Sequence, residues 1–404
     1  MKKTLAIVLA LCMVFALCAC GGGGGKPADG DTAKTLKVGV FEPTTGENGA
    51  GGMQEVLGIR YANTVKPTVT IGGETYNIEL VEVDNQSDKT AAVSAAQNLI
   101  SSGVIGVLGS YGSGVSIAAG STFAEAQIPA IGCSCTNPQV TYGNDYYFRV
   151  CFLDPFQGTV MANYAKSEGC TTAAVVMQNG DDYSTGLATY FSDAFSAMDG
   201  CEVIYTGTYN TNETDFNAIL TAVKAAEPDV LFIPSSITTA GLVIKQARDM
   251  GLTCRIMAGD TWENATIIEN AGAANCEGVA LSTFFDENDA SAADFVKGFK
   301  EYITSDSANL SLNGDKDTVA AVSALGYDAY MTLVAALENI EGEVTSVALR
   351  DALVGTSCDG VTGGISFDEN GDAVRDMAYI KTMTDGAFLF VGTQKTDGTF
   401  TPAA

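Results

Sequence analysis

Short apolar runs and longer stretches of mixed character succeed one another along this chain with little interruption. The runs at residues 35–41, 78–83, 104–108 and 129–132 predict buried strands. Between them, residues 53–65, 90–100 and 115–126 carry apolar side chains at helical spacing. The alternation starts again at residue 172. Strands are predicted at 173–177, 202–206, 229–234, 255–258 and 279–284, and helices from the loop 178–183 to residue 198, at 216–226 and at 239–250. Helices at 292–302 and 318–337 follow, and the tail returns to strands at 364–367, 378–382 and 387–392. Strand–helix–strand series of this kind build parallel sheets flanked by helices, an α/β class.

The two ends of the chain lie outside this pattern. Met1-Lys2-Lys3 precedes an apolar run at 5–17, which fits a secretory signal and falls short of the roughly 20 residues that span a bilayer. The run ends in Leu17-Cys18-Ala19-Cys20, which resembles a bacterial lipobox. Residues 1–19 are therefore expected to be a lipoprotein signal peptide and Cys20 the lipid anchor. Five glycines and a polar stretch carry 20–34, a flexible tether. Near the other end, Asp368-Glu369-Asn370-Gly371-Asp372 has a spacing suggestive of calcium but is better read as a glycine-containing turn.

Composition narrows the chemistry. A formal net charge of −27 argues against nucleic acid and against lying flat on anionic lipid. The 404 residues contain no histidine, which removes Ser-His-Asp and Cys-His nucleophile systems and His-ligated metals. Neither an enzyme nor a cofactor is expected. Of 11 cysteines, Cys12, Cys18 and Cys20 belong to the leader, and Cys133 and Cys135 are too isolated for a zinc site. Cys170 with Cys201, and Cys254 with Cys276, stand at predicted strand starts, so two disulfides between neighbouring strands are expected.

Candidate chemistry concentrates at 103–138. Its two strands open into Gly109-Ser110-Tyr111-Gly112-Ser113-Gly114 and Cys133-Ser134-Cys135-Thr136-Asn137-Pro138, both at the carboxyl edge where open parallel sheets bind ligands. Ser113 starts a helix, whose free N–H groups and dipole favour an anion. Ser134 and Thr136 add hydroxyls. These features suit half of a site for a carboxylate-bearing ligand, with plain capping and turn formation as the alternative.

The stretches DNQSDKTAAVSAAQNLI, GSYGSG with CSCTNP, YYFRVCFLDPFQG, DFNAILTAVKAAEPDVLFIP, AGLVIKQARDMGL, MAGDTWENA, SALGYDAYMTLVAALE and DGVTGGISFDENGDA occur in that order. Together they resemble the type I periplasmic-binding-protein superfamily in its branched-chain amino-acid branch, the solute-binding proteins of ABC transporters. The resemblance implies two Rossmann-like lobes joined by three crossovers near 149–154, 282–285 and 358–364. Residues 35–151 plus 284–358 would form lobe 1, and 152–283 plus 359–396 lobe 2. It further implies that Ser113, Ser134 and Thr136 hold an amino acid's α-carboxylate, that Tyr183 covers the ligand and that Asp260 neutralises its ammonium. Tyr111 and Trp262 flank these groups. Expected partners are an amino-acid-like solute and an ABC permease, with the membrane reached through the lipid alone, on its outer face, by a monomer. Two departures leave the solute's side chain open: residues 45–51 lack the aromatic often found near the ligand, and Cys133 and Cys135 replace smaller or imino residues. A ligand-sensing lipoprotein of the same fold, or a binder of an amide, sugar or carboxylate, is the alternative.

Overall fold

The computed structural model describes residues 34–403. The expected signal peptide, Cys20 and the tether up to residue 33 lie outside the described residues. Among the described residues, no helix is long and apolar enough to cross a membrane.

The first half builds a sheet of six strands: β1 (Lys34–Glu42), β2 (Thr68–Ile71), β3 (Glu74–Asp84), β4 (Gly106–Leu108), β5 (Ala130–Gly132) and β6 (Tyr147–Arg149). Their order is β2-β3-β1-β4-β5-β6, parallel except for β2, which pairs antiparallel with β3. The second sheet has eight strands. Its parallel part comprises β7 (Thr172–Gln178), β8 (Glu202–Tyr209), β9 (Val230–Phe232), β10 (Arg255–Ala258) and β11 (Ala280–Thr283). A small hairpin of β12 (Ser357–Gly360) and β13 (Gly363–Ser366) precedes the antiparallel extension of β14 (Ala378–Thr384), β15 (Ala387–Gln394) and β16 (Phe400–Pro402). The order in the second sheet is β16-β15-β14-β11-β10-β9-β7-β8.

Both sheets are covered on two faces, which is why their central strands read as nearly continuous apolar runs. Within β7, Ala173 and Val175 enter one core with Val160 and Phe191, while Ala174 and Val176 enter another with Val243 and Ile244. That split follows the two-residue period of a strand. In the first sheet, Val38 and Val40 pack toward the helices Gly49–Val65 and Ala321–Glu338. Phe41 and Val107 pack toward Lys89–Ser101 and Ser113–Glu125.

The chain passes between the sheets three times. It leaves β6 for the helix Asp154–Ser167, returns after β11 to the helices Ala293–Thr304 and Ala321–Glu338, and crosses again between β13 and β14. Arg149, with no exposed surface, anchors the first passage. Its guanidinium donates to the carbonyls of Cys135 and Asn137, both at 2.7 Å, to Thr141 Oγ1 at 2.7 Å, and to the Asp372 carboxylate beside the last passage.

Several elements differ from expectation. The helix predicted from residue 53 starts at Gly49, because the glycines let it press against its surroundings. A Cβ on Gly52 would sit 2.0 Å from the Pro43 carbonyl oxygen, and one on Gly51 2.4 Å from the Tyr111 ring. Strand β2 was not expected. It joins β3 through Gly72 and Gly73, whose positive φ of 58° and 87° suits a tight hairpin turn. The expected disulfides are absent: all eight cysteines of the described residues are free. Cys201 Sγ lies 3.9 Å from the Cys170 carbonyl oxygen, while Cys170 itself is buried in the core. Cys276 ends a one-turn helix, Ala273–Cys276, and does not open a strand, so it does not face Cys254 across a sheet.

Candidate functional site

Strands β4, β5, β7, β9 and β10 all end, at their carboxyl edges, on one small cavity between the two sheets. Four helices begin there. Asn48 precedes Gly49–Val65, Gly112 precedes Ser113–Glu125, Asp181 caps Asp182–Ser196 and Ser236 caps Ile237–Asp249. Their N-terminal dipoles give the cavity a positive field suited to an anion. The volume enclosed is about 20 Å³, little more than one water molecule occupies. Admitting an organic solute therefore requires the walls to part.

The first sheet contributes Tyr111, Ser113 and Ser134. Gly112 holds a φ of 100°, which turns the chain from β4 into the helix and leaves Ser113 as its first residue. Ser113 Oγ accepts the Asn137 N–H at 3.1 Å, joining the two loops of the segment. Ser134 Oγ donates to the buried Glu55 carboxyl, while Glu42 accepts the Tyr111 N–H at 2.6 Å. Glu42 and Glu55 lie together beneath the site, and burial raises both carboxyls above the ordinary range.

From the second sheet come Tyr183, Thr261 and the Ser235-Ser236 turn. Tyr183 donates from its hydroxyl to Asp260 Oδ1 at 3.0 Å, and Gln157 Nε2 donates to the same oxygen at 2.6 Å. Burial pushes the Asp260 carboxyl up to about 6, partly offset by the bonds from Gln157 and Tyr183. Asp181, whose Oδ1 caps its helix through the Ser184 N–H at 2.6 Å, is likewise raised by burial to about 6. Contacts across the cleft hold the two sides together. Tyr111 donates to the Thr261 carbonyl at 3.3 Å, Asn137 Nδ2 to the Asp182 carbonyl at 2.7 Å, and Lys89 pairs with Asp182 at 2.8 Å.

Of the residues singled out from sequence, Tyr111, Ser113, Ser134 and Tyr183 line the cavity. Asp260, 3% exposed, stands one layer behind Tyr183 and Thr261. Thr136 is fully buried beside the Asp154 carboxyl and its hydroxyl lacks a hydrogen bond of ordinary geometry. Trp262 belongs to the core, its indole N–H donating to Ser235 Oγ at 3.1 Å. Asn48, Asp181, Ser235, Ser236 and Thr261 were not singled out, although all lie in loops at the edge where strands predicted from sequence end, a rule that could have found them.

A family model described as periplasmic binding protein matches residues 35–387. The Leu/Ile/Val-binding protein homolog 1 of Brucella suis is 31% identical over 376 residues, 92% of this chain and 94% of that protein. Among solved structures, the leucine-binding protein LivK of Thermotoga maritima superposes with a TM-score of 0.81 at 32% identity, covering 90% of this chain and all (100%) of that one. The isoleucine-bound LivJ of Streptococcus pneumoniae gives 0.77 at 27% identity, covering 88% and 100%. A benzoate-bound solute-binding protein of R. palustris shares the fold, with a TM-score of 0.74 at 21% identity over 89% of this chain and 96% of that one.

Proposed function

The chain belongs to the periplasmic binding protein family, and from that premise we propose that it binds a free amino acid between its two lobes and delivers it to an ABC permease. We place it on the outer face of the cell membrane, held by a lipid on Cys20 and acting as a monomer. The carrying observation is the pairing of opposite electrostatic features at one cavity. Helix N-termini and the hydroxyls of Ser113 and Ser134 suit a carboxylate, while Asp260, behind Tyr183, suits an ammonium. A zwitterion taken out of water needs both, because an unpaired buried charge is costly. Thr136 then acts on the loop that carries Ser134 and Asn137, with no direct contact to the solute.

A benzoate-type carboxylate would satisfy the helix N-termini but leave Asp260 without a cation. Calorimetry with the purified protein tests the reading. Asp260→Ala should weaken binding of the amino acid by about 3–5 kcal/mol, more than a hundredfold. Ser113→Ala, which leaves the helix N–H groups in place, should cost about 1.5–3 kcal/mol. An Asp260→Ala protein that is folded and binds within about threefold of wild type would sink the site assignment, as would a tight ligand with no amino group.

A further inference from the structure

Apart from the Tyr111 ring and Gly112, the part of the cavity wall that remains after the α-carboxylate and α-ammonium are accounted for is polar: Asn48, Asp181, Ser235, Ser236 and Thr261, with no aliphatic side chain among them. We infer that the solute is an amino acid whose own side chain hydrogen-bonds through an uncharged hydroxyl or carboxamide, and not a branched aliphatic one. The inference rests on the reading of this cleft as an amino-acid site.

Some of these wall groups are already engaged, and the ones left open decide the chemistry. Ser236 Oγ is taken by its helix, meeting the Thr239 N–H at 3.4 Å and its hydroxyl at 3.1 Å. Thr261 Oγ1 donates to the Ser235 carbonyl at 2.9 Å, and Ser235 Oγ receives Trp262. Asp181 uses only Oδ1, and its Oδ2 has no partner among the described residues. Asn48 uses Oδ1 to accept the Ile237 N–H at 3.2 Å, and its Nδ2 donates to no group among the described residues. The wall therefore retains one carboxylate acceptor and one amide donor. A hydroxyl or carboxamide, being donor and acceptor at once, answers both.

An aliphatic side chain would displace water from Asp181 and Asn48 and return no hydrogen bond. A site built to hydrogen-bond rejects the analogue that lacks the partner, because its own polar groups are left unpaired.

Calorimetric titration of the full-length protein with each of the twenty common amino acids tests the inference. The tightest ligand is expected to carry a hydroxyl or carboxamide, and to exceed leucine, isoleucine and valine by about tenfold or more. Asp181→Asn, which keeps a residue able to cap the helix, should weaken that ligand by about tenfold and narrow its margin over leucine. A tightest ligand that is aliphatic, aromatic without a hydroxyl, or charged overturns the inference while leaving the amino-acid reading intact. An unchanged margin in Asp181→Asn overturns the role given to Asp181. If no amino acid binds and a carboxylate without an amino group does, the reading beneath the inference fails, and the inference with it.

Discussion

Asp260 is a carboxyl placed almost wholly out of water with only two neutral hydrogen-bond donors for company. Its pKa, raised by burial to about 6, means that the folded ligand-free protein holds a proton there more tightly than the unfolded chain does. For a raised carboxyl, the stabilising contribution is complete below the unfolded value and is lost as pH rises through the folded one. From this residue alone, ligand-free protein should lose roughly 3 kcal/mol of stability between about pH 4 and 7. Asp181 acts in the same direction. The check is the urea midpoint of wild type and Asp260→Asn across that range, where the substituted protein should show the flatter profile. An ammonium beside Asp260 reverses the preference, so solute affinity should fall as pH drops below about 6. Equal pH profiles for the two proteins would show that Asp260 does not titrate here.

Helices fit together in this molecule largely through glycine. A Cβ on Gly58 would lie 2.0 Å from the Ser323 carbonyl oxygen, and one on Gly326 2.5 Å from that of Glu55. Gly49–Val65 and Ala321–Glu338 thus touch backbone to backbone, and this closeness sets where Glu55 stands beneath Ser134. Carbonyl oxygens of a helix cannot rotate aside, so Gly58→Ala must push the helices apart. A loss of about 1–3 kcal/mol is expected from overpacking. Gly355 is the control: it sits at φ −100° with nothing near its would-be Cβ, and Gly355→Ala should leave the urea midpoint nearly unchanged.

At the level of the whole molecule, the carboxyl edges of two sheets share one small cavity, bridged by Lys89 with Asp182, by Asn137 and by Tyr111. A solute bound between the two sides stabilises this closed form by its differential affinity for closed over open, and its binding to folded protein alone raises the melting temperature. Lipid attachment belongs to the same scale. Cys20→Ala is expected to release the protein from membranes into the medium, read by fractionating cells and culture supernatant. Retention as firm as wild type would refute the lipid anchor.

The alternation of apolar runs with helical periodicity was enough to reveal two α/β series and the strand edges where a site should lie, because a strand covered on both faces must be apolar throughout. Ser113 and Ser134 were legible for the same reason: they follow such strands within a few residues. Ser235 and Thr261 also follow such strands, but that they share one cavity with Ser113 and Ser134 was not legible, since it depends on the edges of two separate sheets closing on each other. Local sequence also does not set depth. Asp260 and Tyr183 look equivalent as loop residues, yet packing puts the tyrosine at the cavity and the carboxylate behind it, where burial shifts its proton affinity. The cysteines make the same point. Cys170 and Cys201 stand just before neighbouring strands and pack on one core, but whether two thiols meet depends on side-chain direction, and these two stay free.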